Sequence, residues 1–181
     1  MPQTLPRLET DRLILRPPLR EDLDAWAEFA ADEEAQRFLG GVQPRGAVWR
    51  SLCVMRGAWD IEGFSMFSVI EKASGRWIGR LGPWRPDGWP GDEIGWSLTR
   101  SAWGRGYATE GAAAAIDWAF THLGWREVIH CIDARNERSK AVARRLGSRF
   151  LRSAMLPPPF DQQTEIWGQS REEWQARCVS G

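Results

Sequence analysis

Apolar residues alternate with polar ones in some stretches and recur every three or four positions in others, and the switch between these periods divides the chain into elements. Leu13-Ile14-Leu15, inside "LETDRLILRP", predicts an opening strand, and "PLREDLDAWAEFA" then places Leu19, Leu23, Trp26 and Ala30 at helical spacing. After Pro44, residues Val48, Leu52, Met55 and Trp59 recur at i, i+4, i+7 and i+11, which predicts a second helix whose Met and Trp fill a core. "FSMFSVIEKASGRWIGRLGPW" predicts two strands joined at Ala73-Ser74-Gly75, and "GDEIGWSLT" a third beyond a loop rich in Pro and Trp.

In the second half the helical period dominates. Ala112, Ala115, Ile116, Ala119 and Leu123 share one face of a helix closed by Gly124. "REVIHCID" predicts a strand, followed by a helix capped by Asn136, with Val142 and Leu146 inward and Gly147 at its end. "FLRSAML" and "QTEIWG" predict two more strands, and Ser170 with Glu173 has capping-box spacing for a terminal helix. An antiparallel meander followed by interleaved helices and strands is the order of a mixed α+β fold.

Composition narrows what such a fold can serve. The 181 residues, 43% hydrophobic and 27% charged, suit one domain spanning 1–181. Twenty-four basic residues balance twenty-four acidic ones, so no global field draws the chain to nucleic acid or anionic membrane, and neither partner is expected. Cys53, Cys131 and Cys178 are widely spaced and the chain has only two His, which gives no zinc-ligand pattern; no metal is expected, and the thiols read as reduced, in a cytoplasmic protein. The N-terminus lacks a basic region followed by an apolar run, and nowhere do roughly 18 apolar residues run together, so export and membrane spanning are not expected. Twelve Trp residues suggest a filled core and a lined pocket.

Candidate chemistry concentrates at "SLTRSAWGRGYATEG". Gly104 and Gly106 let the backbone bend and approach a ligand, and the helix that follows presents free N–H groups at the same place. That combination suits an anion such as phosphate, with Arg100 and Arg105 flanking it, although two glycines also serve simply to turn a strand into a helix. A P-loop would need Gly-Lys-Ser/Thr, which is absent. A dinucleotide fingerprint from Gly104 would have Thr109 in its third glycine position, and the preceding meander is the wrong context despite Asp133 at the end of the next strand.

"DEIGWSL", "WGRGYATEG" and, one helix and one strand later, "NERSKAVARRLG" together resemble the GCN5-related N-acetyltransferase (GNAT) superfamily. "LETDRLILRPPLREDL" and "TEIWGQSREEW" extend the resemblance over nearly the whole chain and are similar to the ribosomal-protein N-terminal acetyltransferases in particular. The resemblance implies a central, mostly antiparallel sheet of about six to seven strands, two of them splayed, flanked by about four helices. It implies acetyl-CoA as the acetyl donor, with an amine acceptor that is a small molecule or a protein N-terminus, and it is compatible with a homodimer. The splayed strands would be Asp92 to Thr99 and Glu127 to Asp133. Trp96, Ser97 and Leu98 would pair their backbone with the pantetheine arm, and the amides of Gly104, Arg105, Gly106, Tyr107, Ala108 and Thr109 would surround the pyrophosphate. Asn136 and Ser139 match positions that hydrogen-bond near the pantetheine, although Asn136 is equally explained as a helix cap.

The departures from the family pattern bear on catalysis. Trp103 stands where the turn often begins with Gln or Arg, a change also seen in the ribosomal-protein branch. Ala143 stands where many members carry a Tyr that protonates the departing thiolate, and Cys131 where some carry a Glu base. Direct attack by the amine needs no enzyme nucleophile, so none of the three Cys is expected to be acylated. A backbone N–H near Leu98 is the oxyanion donor that the resemblance implies. Glu93, which alternation places on one face with Gly95 and Ser97, is the candidate base, with Asp92 taking that place if a bulge reverses the register. An exposed strand carboxylate is the alternative for Glu93. Asp32, Glu33 and Glu34 read either as a solvated loop or as an acidic rim for a cationic amine. The non-enzymatic alternative for the whole chain is an acyl-CoA-binding module that has lost its catalytic groups.

Overall fold

The computed structural model describes residues 5–158 and 160–179, excepting the side chains of residues 178 and 179, so the Cys178 thiol lies outside the described residues. The strands are β1 (Leu8–Glu9), β2 (Leu13–Arg16), β3 (Phe67–Glu71), β4 (Trp77–Trp84), β5 (Glu93–Leu98), β6 (Glu127–Ile132), β7 (Arg149–Met155) and β8 (Gln163–Ser170). They form one sheet in the order β1-β2-β3-β4-β5-β6-β8-β7. Every neighbouring pair is antiparallel except β5 and β6, which run parallel. The helices are α1 (Leu23–Ala30), α2 (Glu33–Gln36), α3 (Arg45–Ile61), α4 (Tyr107–Trp118), α5 (Glu137–Leu146) and α6 (Arg171–Val179).

The eight strands and six helices described exceed the about six to seven and about four expected, in part because β1 and α2 are short. β1 has two residues, too few for a periodic signal. The four-residue α2 is held by a cap: the Asp32 carboxylate accepts from the N–H groups of Glu34 and Ala35, both at 3.1 Å. Of the two readings of Asp32, Glu33 and Glu34, the loop is replaced by a capped turn of helix.

The sheet separates two apolar layers. On one face α4 lays Ala112, Ala115 and Ile116 against Leu13, Leu81 and Ile94, and small side chains let the helix sit close to the strands. On the other face α1 and α3 bury Trp26, Phe29, Leu52 and Met55 over Met66 and Trp77. The Trp59 end of the α3 stripe reaches the first layer, and truncating so large a buried ring would cost roughly 3–5 kcal/mol. The terminal helix begins as the spacing predicts: Glu173 N–H donates to Ser170 Oγ at 3.2 Å, and Ser170 N–H to the Glu173 carboxylate at 2.8 Å.

β5 and β6 share a single paired rung, Glu93 opposite Ile129, where the Ile129 N–H donates to Asp92 O at 2.9 Å. Beyond that rung the two strands part. The parting leaves an opening in the middle of the sheet, between the end of β5 and the end of β6.

Candidate active site

The opening has an unpaired edge. Thr99 N–H bonds across to Ile78 O at 2.9 Å, so the odd-numbered residues of β5 spend their backbone groups on β4, and Ser97, expected to pair its backbone with a pantetheine arm, instead pairs it with Arg80. The even-numbered residues 92, 94, 96 and 98 turn theirs toward β6. Asp92 O is taken by Ile129, Ile94 O accepts from the His130 ring at 2.7 Å, and Leu98 O accepts from the Trp103 indole at 2.9 Å. With β6 displaced, the N–H and C=O of Trp96 and the N–H of Leu98 face the opening.

His130 holds the strands apart. A carbonyl only accepts, which assigns the imidazole proton to Nδ1 toward Ile94 O; Nε2 then accepts from the Ser148 hydroxyl at 2.9 Å, and Ser148 Oγ accepts from Gln169 Nε2 at 2.9 Å. Burial pushes His130 down to about 4, against the opposing effect of the Ile94 carbonyl, so the ring stays neutral and the assignment holds at physiological pH. A side chain thus satisfies a carbonyl that strand pairing would otherwise satisfy. The Trp96 ring lies 4.8 Å from the imidazole, and its Nε1 donates to Ser139 Oγ at 3.3 Å, on α5.

The glycine turn stands at the mouth of the opening. Gly104 and Gly106 adopt left-handed φ of 71° and 80°, conformations that L side chains rarely hold. The first intrahelical bond of α4 runs from Glu110 N–H to Gly106 O at 3.0 Å, leaving the N–H groups of Tyr107, Ala108 and Thr109 unused by the helix. The flanking cations are already paired. Arg105 meets Glu71 at 2.8 Å and stacks over Tyr107, while Arg100 meets Asp32 at 2.5 Å and Glu34 at 3.7 Å. Both flank the turn as expected, each held by a carboxylate, and the turn itself offers backbone N–H groups. The Tyr107 hydroxyl points away from the turn and donates to Glu71 at 2.6 Å.

Glu93 lies on the face of β5 that α1 and α3 cover, and it is buried rather than an exposed strand carboxylate. Its carboxylate accepts from the Trp89 indole at 2.5 Å and from Cys131 N–H at 3.1 Å. Burial pushes the carboxyl up to about 7, against those two bonds and the nearby charge of Arg80. The register between β4 and β5 is regular, so Asp92 does not take that position; it pairs with Arg85 at 2.6 Å. Cys131 is half-buried, and burial followed by the charge of Glu93 raises its thiol far above the ordinary value, the opposite of what a nucleophile needs. Cys53 is exposed. Two residues past Cys131, Asp133 lines a cleft of about 460 Å³ between Arg37–Gly41 and the β7–β8 hairpin, where Phe38, Ser153 and Thr164 also lie. Among the described residues no group of three or more His, Cys, Asp or Glu could hold a metal ion.

The model of an acetyltransferase (GNAT) domain matches residues 12–149 of the chain. The protein belongs to the GNAT acetyltransferase family. It is 32% identical over 136 residues, 73% of this chain and 76% of the relative, to the uncharacterized N-acetyltransferase p20 of Bacillus licheniformis. It is 29% identical over 185 residues, 93% of this chain and 78% of the relative, to the FsC-acetyl coenzyme A-N(2)-transacetylase of Aspergillus fumigatus. The crystal structure of an acetyltransferase from Agrobacterium tumefaciens superposes with a TM-score of 0.81 at 29% identity, covering 94% of this chain and 98% of that one.

GNAT acetyltransferases use acetyl-CoA, and the groups described fit such a donor. An open strand edge suits the amides of a pantetheine arm, and a left-handed turn of unused N–H groups suits phosphates. Two further positions are as the sequence allowed. Asn136 Oδ1 accepts from Ser139 N–H at 3.1 Å as the cap of α5. Ala143 is fully buried against Ile132 and Trp167, so no hydroxyl group stands at that point. Sequence reasoning missed His130, Trp89 and Arg80. Strand alternation puts His130 on one face with Val128 and Ile132, a polar residue on an apolar side, and that was the available signal. Among the described residues no helix is long and apolar enough to cross a membrane.

Proposed function

We propose that the protein transfers the acetyl group of acetyl-CoA to a primary amine of modest basicity, an α-amine, by direct attack, with Glu93 as the base. The observation that carries this reading is a buried carboxylate with a pKa near 7, set on the helix-covered face of β5 close to where the sheet opens. Trp96 would hold the pantetheine by its backbone N–H and C=O, leaving the one free backbone group of Leu98, its N–H, for the thioester carbonyl; the side chain of Ser97 lies on the acceptor face, and the turn from Gly104 to Thr109 would hold the pyrophosphate. Asn136 and Ser139 contribute by fixing the start of α5 against Trp96.

Acetyl-CoA supplies the activated carbonyl; everything else falls to the chain. An amine entering from the α1–α3 side meets Glu93, which at neutral pH is about half ionised and accepts the ammonium proton, directly or through water. The N–H of Leu98 faces the opening and is the donor for negative charge developing on the carbonyl oxygen. Among the described residues no hydroxyl stands at Ala143 to protonate the leaving group, so as the tetrahedral adduct collapses CoA departs as the thiolate and takes up the second amine proton by way of water; with Glu93 as the single base, the chemistry suits an acceptor that costs little to deprotonate. An α-amine of pKa about 7.7–8.0 needs roughly 1 kcal/mol at pH 7, against some 4–5 kcal/mol for a Lys side chain. The likeness of the opening and closing segments to ribosomal-protein N-terminal acetyltransferases, and the N(2) position in the name of the Aspergillus relative, agree with an α-amine.

The test compares a peptide with a free α-amine against a blocked peptide containing Lys, from about pH 6 to 9.5. The α-amine is expected to react faster throughout. Faster Lys acetylation would defeat the acceptor assignment, and no product with any amine, despite acetyl-CoA binding, would favour a non-catalytic binding module.

A further inference from the structure

The register aligns Arg16, Ser68, Arg80 and Ser97 in one row across β2, β3, β4 and β5, all on the face covered by α1 and α3. The two arginines in this row are treated very differently. Arg16 meets Asp22 through both terminal nitrogens, at 2.7 and 2.8 Å, and Asp22 also accepts from Ser68 and from Leu19 N–H, so that carboxylate is saturated.

Arg80 has no carboxylate within ion-pair distance among the described residues. Its Nη1 has only the sulfurs of Met55 at 3.5 Å and Met66 at 4.0 Å, both weak acceptors. Its Nε is buried with no partner, and its guanidinium sits 5.2 Å from the Trp26 ring. Burial lowers its pKa to about 10 while the charge of Glu93 opposes that shift, so it is a cation at neutral pH. A buried cation without an anion is costly, and such sites are normally completed by a partner. The side chain is only partly enclosed, and the residues over it include two flexible Met side chains, which re-pack readily.

We propose that Arg80 binds a carboxylate on the acceptor, so that the acetylated amine belongs to an amino-carboxylate. This rests on the reading that the acceptor enters over the α1–α3 face. Arg80 lies one strand in from β5, so the carboxylate would sit within about two strand spacings, roughly 10 Å, of an amine at the opening. That range covers free α-amino acids and short chains whose carboxylate lies a few bonds further away. The pairing would also assist the reaction. A free carboxylate beside an ammonium group holds its proton on, and an arginine that neutralises the carboxylate eases transfer to Glu93.

The experiment has two arms, on the whole chain. In the first, acetyl transfer is measured for matched α-amine acceptors: α-amino acids, dipeptides and tripeptides, each beside its C-terminal amide. At least one carboxylate is expected to exceed its amide by about 100-fold or more in kcat/KM, and Arg80→Met to bring that ratio to about one; the ratio is the readout, because losing the Arg80 charge also lets the Glu93 pKa rise and slows both acceptors near neutral pH. In the second, N-acetylated amino-carboxylates added to protein already saturated with CoA are expected to raise the Tm of wild type further and to leave that of CoA-saturated Arg80→Met unmoved. Arg80→Met is itself expected to have a higher Tm than wild type without ligand, since it removes an unpaired buried charge; a purely structural arginine would lower it. If Arg80→Met does not fold, Arg80→Lys is expected to keep part of the preference. Carboxylate-dependent Tm shifts without turnover would keep this inference and defeat the catalytic reading. Amides that match or exceed every carboxylate, with no shift from the acetylated products, would overturn the inference.

Discussion

Replacing Glu93 by Gln separates ionisation from shape, because the amide keeps the size of the side chain and cannot titrate. Burial raises the Glu93 pKa from 4.5 to about 7. Below pH about 4.5 the folded and unfolded chains both carry the proton, and the group contributes no pH dependence. Between about 4.5 and 7 the unfolded chain releases its proton while the folded chain keeps it, so wild type loses stability as pH rises. The loss is complete above pH about 7, and 2.5 units at 1.36 kcal/mol per unit give about 3 kcal/mol. Gln also places an amide NH2 against one of the two N–H donors that now serve the carboxylate, a cost of about 1–3 kcal/mol that does not depend on pH. The stability difference between wild type and Glu93→Gln, from urea unfolding at about pH 4.5, 6, 7 and 8, should therefore move by about 3 kcal/mol in favour of the variant. Activity should move the other way. The kcat/KM of wild type should rise through pH about 7, and the variant should lose about 10²–10⁴-fold near neutrality, less as the amine deprotonates itself. A stability difference flat with pH would refute the buried-carboxylate argument, and an activity loss independent of pH would make Glu93 a positioning residue.

Gly106→Val forces a β-branched residue into φ of 80° and brings it against Arg12, at a cost of about 1–3 kcal/mol, and should weaken acetyl-CoA binding about tenfold or more by calorimetry. Unchanged affinity would remove the turn from the cofactor site. Cys131→Ala should retain acetyl transfer within a few-fold, with no acetylated Cys131 in wild type by mass spectrometry; a stable adduct with activity lost in the variant would establish a covalent route. His130→Leu strands the Ile94 carbonyl and should destabilise by about 1–3 kcal/mol. It should also raise KM for acetyl-CoA more than KM for the acceptor, whereas a destabilised variant with both constants unmoved would make His130 a core residue only.

How far the sequence reveals this site depends on the range of each interaction. The α3 stripe and the Ala112, Ala115 and Ile116 face are legible because helical period and burial coincide within one element, whereas Ala119 lies just past the end of α4, in a wider helical turn over Ala119–Leu123. The Ser170–Glu173 box is legible because both partners lie within one turn. The position of β8 between β6 and β7 is set by pairing across the sheet, and no local pattern in "QTEIWG" carries it. Alternation places Glu93 on the correct face, yet its burial comes from the Trp89 indole and the β6 backbone, which sequence alone does not bring to it. Arg80 sits inside the apolar run "WIGRLGPW" and reads as an ordinary outward strand residue until α1 and α3 are seen to cover it.

The single rung between Glu93 and Ile129 also bears on how the molecule opens. Residues 8–98 and 127–170 form two antiparallel half-sheets, each with its own continuous ladder, joined by that rung, by the Cys131 N–H bond to Glu93, by the His130 ring and by the contact of α4, which lies on β4 and β5, with α5. Such halves can separate locally at lower free energy than global unfolding, and amide hydrogens at the parted edges, those of Trp96 and Leu98 first, would exchange through that partial opening. A donor lying along the edge would act as a missing strand and stitch the halves together. At a concentration one hundred times its Kd it would stabilise the joined state by about 2.7 kcal/mol, slowing exchange most along the seam rather than evenly through the chain.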